Sequence, residues 1–311
     1  MLPLVIWRQG AVRTARPLAC ETTEYCPLLT DPSADVLAVW TAIADGVRDL
    51  KAVDAVILPY ARDDAALVPF LRGASRVIQT DSFPNHFVSQ SAFGCWENYW
   101  KQLPRGMRSN LGTRQRRLNE LGEVLFEELT DPDASRAAWR WMVDNKRDWL
   151  VRKGLDHAFI PTQDYFRFME ATLGVSGPTG RRGIFVLKLD GELMAAELVN
   201  VDRRRMEAFI ATYDQRFARY GPGQLLRKEL LHWAFARGLD FDWRLGDDAY
   251  KLEWASHRAV ARTYVLPRNL RGWLFGAYLA ERTRLAYRTP ACLRSKIRGM
   301  LKRRAQPETV A

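Results

Sequence analysis

Between residues 186 and 238 three apolar segments, a glycine-bearing turn and an amphipathic helix follow one another, and this order limits the possible folds more than any other feature. Val186 to Leu189, Leu193 to Val201 and Met206 to Tyr213 are separated by Asp190-Gly191 and by Asp202 to Arg205. Asp-Gly between apolar runs is a hairpin signal, so these read as hairpin-linked strands. After Tyr220-Gly221-Pro222-Gly223, the residues Leu225, Leu226, Glu229, Leu230, Trp233 and Ala234 repeat at helical spacing until Gly238 stops the helix. Gly221 and Gly223 therefore sit at a helix N-terminus, where backbone N–H groups lack intrahelical partners and the dipole is positive. Without side chains, these positions let an anion reach the backbone. A pyrophosphate suits such a turn, and plain turn chemistry is the competing reading. It is neither a dinucleotide fingerprint, since Leu226 replaces the third glycine, nor a P-loop, since the Gly-Lys-Ser/Thr ending is missing.

The flanking segments extend the pattern. Val124 to Leu129 reads as a strand, and after Asp131-Pro132 a helix places Ala138, Trp141, Met142, Asn145 and Trp149 on one face up to Gly154. A second helix runs from about Gln163 to Leu173. Downstream, Phe241 to Trp243 forms a short strand, followed by Gly246-Asp247-Asp248-Ala249-Tyr250-Lys251. That stretch is too polar for core and also fits a capped turn opening a helix at Asp247 or Asp248. Residues 105 to 118 carry Arg105, Arg108, Arg114, Arg116 and Arg117 with no acid. They suit the phosphates of a cofactor or acceptor, or a solvated helix face balanced by Glu120, Glu123, Glu127 and Glu128.

Three segments, taken together, resemble the acyl-CoA-binding core of the GNAT acyltransferase superfamily. They are Arg105-Gly106-Met107-Arg108 through Arg116-Arg117-Leu118, Tyr220-Gly221-Pro222-Gly223-Gln224-Leu225-Leu226, and Asp242-Trp243-Arg244-Leu245-Gly246-Asp247-Asp248-Ala249-Tyr250-Lys251. More narrowly, residues 106 to 255 are similar to a bacterial branch holding CelD-like acetyltransferases and Fem-type aminoacyl transferases. The resemblance implies an α/β (α+β) chain with a C-terminal GNAT lobe over 105–266, a smaller truncated GNAT-like lobe over 1–104, and a basic amphipathic helical tail over 267–311. It implies acyl-CoA, acetyl or longer, as co-substrate. Backbone N–H groups from Ile210, Ala211, Thr212 and Tyr213 would polarise the acyl carbonyl, and Arg219, Gly221, Gly223, Gln224 and Leu225 would hold the pyrophosphate. The superfamily usually has Gln or Arg three residues before the first glycine, where this chain has Ala218 with Arg216 and Arg219 beside it. Relatives in the branch also carry further residues ahead of the segment that begins here at Met1, which implies a start short of theirs.

An amine attacking a thioester needs a base, donors for the developing oxyanion and an acid for the thiolate. The resemblance places Tyr250 as that acid, and Lys251 against a phosphate or the reacting carbonyl. Candidate bases are Glu197, Asp247 and Asp248, with a water relay as the alternative. The leading expectation is an acyl-CoA-dependent N-acyltransferase acting on an amine of a sugar, lipid or small metabolite. The alternatives are aminoacyl transfer from tRNA and a non-catalytic membrane or nucleic-acid adaptor.

Elsewhere the chain gives class rather than chemistry. Pro3 to Trp7 and Val53 to Leu58 read as buried strands around a helix marked by Val36, Trp40, Ile43, Val47 and Leu50, with further strands at 76–79 and 86–89 and an aromatic helix from Cys95 to Leu103. Cys20, Cys26, Cys95 and Cys292 form no CxxC pair, and His86, His157, His232 and His257 show no ligand spacing, so reduced thiols and no metal are expected. Met1 to Gly10 lacks a secretory signal and no run is apolar enough to span a bilayer, which leads to an expected cytoplasmic location. The net charge of +11 is concentrated at the end, where residues 262 to 304 hold twelve Lys or Arg against one acid, Glu281. Leu270, Trp273, Leu274, Ala277 and Tyr278 fall on one helical face, continued by Leu293, Ile297, Met300 and Leu301. Three readings stay open: packing on the protein's own body, an anionic membrane surface met by residues 267–304 at the inner face, or an RNA backbone.

Overall fold

A computed structural model describes residues 2–18, 25, 31, 33–65, 68–73, 76–152, 163–177 and 180–288. Cys20, Cys26, Cys292, His157 and the apolar positions Leu293, Ile297, Met300 and Leu301 lie outside them. The strands, in chain order, are β1 Leu4–Gln9, β2 Val12–Pro17, β3 Ala55–Arg62, β4 Ile78–Val88, β5 Val124–Leu129, β6 Ser176–Gly177, β7 Gly180–Leu189, β8 Glu192–Asp202, β9 Arg205–Tyr213, β10 Asp240–Leu245 and β11 His257–Pro267. The chain forms two compact units, residues 1–83 with 259–311, and residues 84–258. These limits differ from the 104/105 and 266/267 boundaries read from sequence. The helices Gln90–Phe93 and Trp96–Gln102 belong with the second unit through a shared core, and β11 pairs with β3 in the first.

In the second unit the strand order is β4, β10, β9, β8, β7, β5, with β6 added on β7. The three strands expected around 186–213 are β7, β8 and β9, an antiparallel series with turns where Asp-Gly and Asp202 to Arg205 predicted them. Helix Pro222–Phe235 lies against this sheet and buries Leu225, Leu226, Leu230, Leu231, Ala234 and Phe235. Each of its leucines contributes about 1.5 to 3 kcal/mol by leaving water. A separate apolar cluster joins helix Pro132–Arg152 to Ile184, Val186, Ala196 and Leu198, which recur at two-residue spacing on β7 and β8 and so share one face of the sheet. In that helix Ala138 and Met142 are buried as expected, but the buried ring is Trp139 and Trp141 is partly buried, so the core stripe is shifted toward Trp139, Val143 and Leu150. The two strands expected at 76–79 and 86–89 are one continuous strand, β4, and the aromatic helix is Trp96–Gln102, capped at Cys95 and Leu103 and preceded by a separate short helix, Gln90–Phe93.

In the first unit the order is β1, β2, β3, β11. Helix Val36–Asp49, capped by the Asp35 carboxylate, shares a core with Val56, Leu58, Tyr264 and Leu266. Helix Leu270–Arg288 packs with Ala55, Ile57 and Val265 through Phe275 and Leu279. Gly272 makes that approach possible, because a Cβ there would lie 1.8 Å from the Asp54 carbonyl oxygen. β2 and β11 had no strong periodic signal and were not anticipated.

Candidate active site

The site starts from a break in strand pairing. β9 and β10 run parallel and share only Asp240 with Arg205, Phe241 with Met206 and Asp242 with Glu207. The pairing stops there, while β9 continues through Ile210, Ala211, Thr212 and Tyr213. On its other side β9 stays paired with β8, where Ala211 faces Glu197 and Thr212 faces Ala196. Alternate peptide groups of β9 therefore point into the gap, and these are the N–H groups expected to polarise a carbonyl.

Past β9 the chain makes a 3-10 turn, Gln215–Tyr220, held by the Asp214 carboxylate, and enters helix Pro222–Phe235 through Gly221. Gly221 has φ 63°, the left-handed conformation that glycine adopts without strain. Its carbonyl accepts the N–H groups of Gln224 (3.0 Å) and Leu225 (3.2 Å), and Gly223 sits against the Tyr213 ring. The basic helix Arg105–Asn119 supplies Arg114 to this turn. A Cβ on Gly221 would fall 2.3 Å from the Arg114 guanidinium, which also donates to Gln224 Oε1 at 3.4 Å. Arg219 is engaged locally, donating to the Tyr220 hydroxyl at 2.5 Å. Glycine backbone, helix terminus and guanidinium thus converge within one unit, and they fit a phosphate group chemically.

Glu197 lies one strand away. It is 3% exposed and its Oε2 has no hydrogen-bond partner. Burial raises its pKa to about 7, and Arg227, Lys146 and Lys251, in that order, oppose the rise. Burial likewise lowers the Lys146 ammonium, against the pull of Glu197 and Asp248. Arg227 also covers the Tyr250 ring, 3.9 Å from its centroid. Lys251 is buried, its Nζ 2.5 Å from the Leu245 carbonyl oxygen and 3.2 Å from Asp248 Oδ2. One carboxylate, three cations and a phenol are therefore gathered from four elements: helix Pro132–Arg152, β8, helix Pro222–Phe235 and helix Ala249–Trp254. A carboxyl group so placed titrates near neutrality, as a proton acceptor should.

Of the sequence candidates, Glu197, Tyr250 and Lys251 belong to this constellation, and Asp248 joins its edge through Lys251. Asp247 is directed elsewhere: its Oδ1 is 2.7 Å from Nε2 of buried His86 on β4. Sequence reading missed Lys146 and Arg227 as participants and the pairing of Asp247 with His86, whereas Arg114 was among the arginines of 105–118 read as suited to phosphate. Lys146 had a readable signal, since it follows Ala138 and Met142 at four-residue spacing on a buried face. Arg227 similarly follows Gly223 by four. A second polar cluster, Arg182, Asn200 and Glu207, lines a depression of about 380 Å³ with Thr172, Arg181 and Asp202. Burial, then the neighbouring Asp242, raises the Glu207 pKa there. Among the described residues no group of His, Cys, Asp and Glu is arranged to hold a metal ion.

Comparison with known proteins gives the frame for this site. Residues 105–252 match the acetyltransferase (GNAT) domain family. No curated protein matches the sequence. Among solved structures, FemX is 11% identical, with a TM-score of 0.58, over 88% of this chain and 85% of that one. A conserved protein of unknown function from Bacteroides thetaiotaomicron is 9% identical, with a TM-score of 0.52, over 85% and 82%. The C-terminal domain of an Agrobacterium fabrum protein assigned as a lysylphosphatidylglycerol synthetase is 14% identical, with a TM-score of 0.50, over 89% and 84%. At these identities the likeness is one of fold. The domain match shows that residues 105–252 belong to the GNAT acyltransferase superfamily, a transferase domain in a chain whose α/β fold is similar to that of FemX.

Proposed function

We propose that the protein transfers an acyl group from a CoA thioester to an amine of a sugar, lipid or small metabolite. The observation that carries this reading is the buried Glu197 carboxyl, whose Oε2 has no hydrogen-bond partner and whose pKa burial raises to about 7, on β8 opposite Ala211 of β9. Gly221, Gly223, Gln224 and Leu225, with Arg114, would hold the pyrophosphate of the donor. The N–H groups of β9 between Ile210 and Tyr213 would hold the carbonyl oxygen as it gains charge. In the reaction a C–N bond forms and the C–S bond breaks. Glu197 takes the proton lost by the amine, and Tyr250 protonates the departing thiolate. Arg227 and Lys251 keep Glu197 ionisable in a buried setting, which would otherwise hold it neutral. Fixing both reactants across the splayed strands would supply much of the acceleration.

A second donor, aminoacyl-tRNA, is favoured by one observation: Arg105, Arg116 and Arg117 are exposed on a helix whose sequence 105–118 contains no acid. The two donors are separated by incubating the protein with acetyl-CoA, palmitoyl-CoA or charged tRNA and an amine panel. Amine-dependent release of the CoA thiol is the expected result. Transfer from charged tRNA with no thiol release from either CoA ester would overturn the CoA reading.

A further inference from the structure

The first unit displays an apolar face that its own helix does not use. Helix Leu270–Arg288 turns Gly272, Phe275, Gly276, Leu279 and Ala280 inward. On the opposite side Leu270, Trp273, Leu274, Tyr278 and Leu285 recur at helical spacing and are all more than half exposed, Trp273 at 52% and Leu274 at 55%. A stripe of this kind on a water-facing surface marks an interaction site. The sequence alone allowed these side chains to pack on the body; the structure puts them on the outer side.

The stripe is bordered by cations. Arg271 and Arg282 flank one edge and Arg284 the other, while the acid within it, Glu281, is paired with Arg284 at 2.5 Å. Beside the helix start lies a depression of about 390 Å³ lined by Arg8, Arg13, Arg271 and Asn269. Its acid, Asp54, already accepts from the Arg13 N–H at 2.7 Å and from Asn269 Nδ2 at 2.8 Å. The pairing of Trp7 with Thr14, and of Thr14 with Ala55, sets Trp7 on the sheet face that this helix covers, at the exposed edge strand. Two exposed tryptophans, leucines and a rim of arginine suit an interface between hydrocarbon and anionic headgroups. A second copy of this face would set arginine against arginine, and among the described residues no helix is long and apolar enough to cross a membrane.

We infer that this face docks in the plane of an anionic phospholipid surface, with Leu270, Trp273, Leu274 and Tyr278 in the headgroup region and a lipid phosphate between Arg8, Arg13 and Arg271. The inference is independent of the acyl donor and acceptor.

The test is sedimentation of the full chain with vesicles of phosphatidylcholine alone or mixed with phosphatidylglycerol, at low and high salt. Selective binding to the anionic vesicles, weakened by salt, is expected. Trp273→Glu with Leu274→Glu should lose at least about tenfold in partitioning, and Arg8→Ala with Arg271→Ala about 25-fold, near fivefold per cation. Thermal melting confirms that each variant is folded; if the glutamate pair melts early, Trp273→Ser with Leu274→Ser replaces it. Equal binding of wild type and folded variants, or no preference for anionic vesicles, would overturn the inference. So would a lipid-free dimer that the glutamate pair dissolves, which would assign the face to a second copy. Retention on RNA that needs the arginines but not Trp273 would assign it to nucleic acid.

Discussion

Replacing Glu197 by glutamine tests the buried carboxyl through stability as well as rate. Its pKa rises from an ordinary 4.5 to about 7 because burial penalises the charged form. Between these values the folded protein holds a proton that the unfolded chain has released. Stability therefore falls as pH rises through this window, by about 1.4 kcal/mol per pH unit, and levels off above 7. The total is about 3 kcal/mol, an upper bound because Arg227, Lys146 and Lys251 adjust with it. The amide introduced by Glu197→Gln carries no charge at any pH, so the variant lacks that decline. Urea denaturation at pH 4.5 should give similar stabilities for the two proteins, and at pH 8 the variant should be the more stable by up to about 3 kcal/mol. Its turnover should fall by roughly 10² to 10⁴, the range for a lost general base, and the wild-type rise in rate through pH 7 should vanish. Parallel stability curves from pH 4.5 to 8 would refute the claim that Glu197 titrates in this window.

Other substitutions probe separate parts of the account. Tyr250→Phe should lower kcat for a poor thiol leaving group by about 10-fold or more, with a smaller effect for an activated aryl thioester; equal losses on both would remove Tyr250 from the acid role. Arg114→Ala should raise the KM for the CoA ester, with little change for its pantetheine analogue that lacks the pyrophosphate, by roughly 10-fold if a charge-assisted bond of about 1.5 kcal/mol is lost; equal effects on both esters would take Arg114 away from the phosphates. Gly272→Ala should destabilise the first unit by about 1 to 3 kcal/mol, because a methyl group would meet the Asp54 carbonyl; an unchanged melting temperature would contradict that packing.

Local pattern revealed the elements far better than it revealed their partners. The β7 to β9 series and the helix after Gly223 were legible because alternating burial, Asp-Gly turns and helical periodicity are short-range signals. The same periodicity put Trp141 where Trp139 is buried, since a stripe cannot say which neighbour it meets. β11 went unread because His257–Pro267 carries no strong periodic signal, and its place beside β3, with Ala261 opposite Arg62, is set only by folding. Glu197, Asp248, Tyr250 and Lys251 were named from sequence, but Lys146 and Arg227 belong to other elements, and only folding sets them around one carboxyl. Asp247 shows the converse: an acidic turn residue taken for chemistry is 2.7 Å from His86 on a distant strand.

The central claim is that the turn at Gly221 and Gly223 holds the pyrophosphate of a CoA thioester. Calorimetric titration of acetyl-CoA, palmitoyl-CoA and free CoA into the wild-type protein and its Gly223→Glu variant addresses it most directly. The account predicts binding by wild type and its loss in the variant, where a carboxylate would occupy the anion's place at the helix N-terminus. Equal affinity of the two proteins, or no binding of any of the three by wild type, would contradict it.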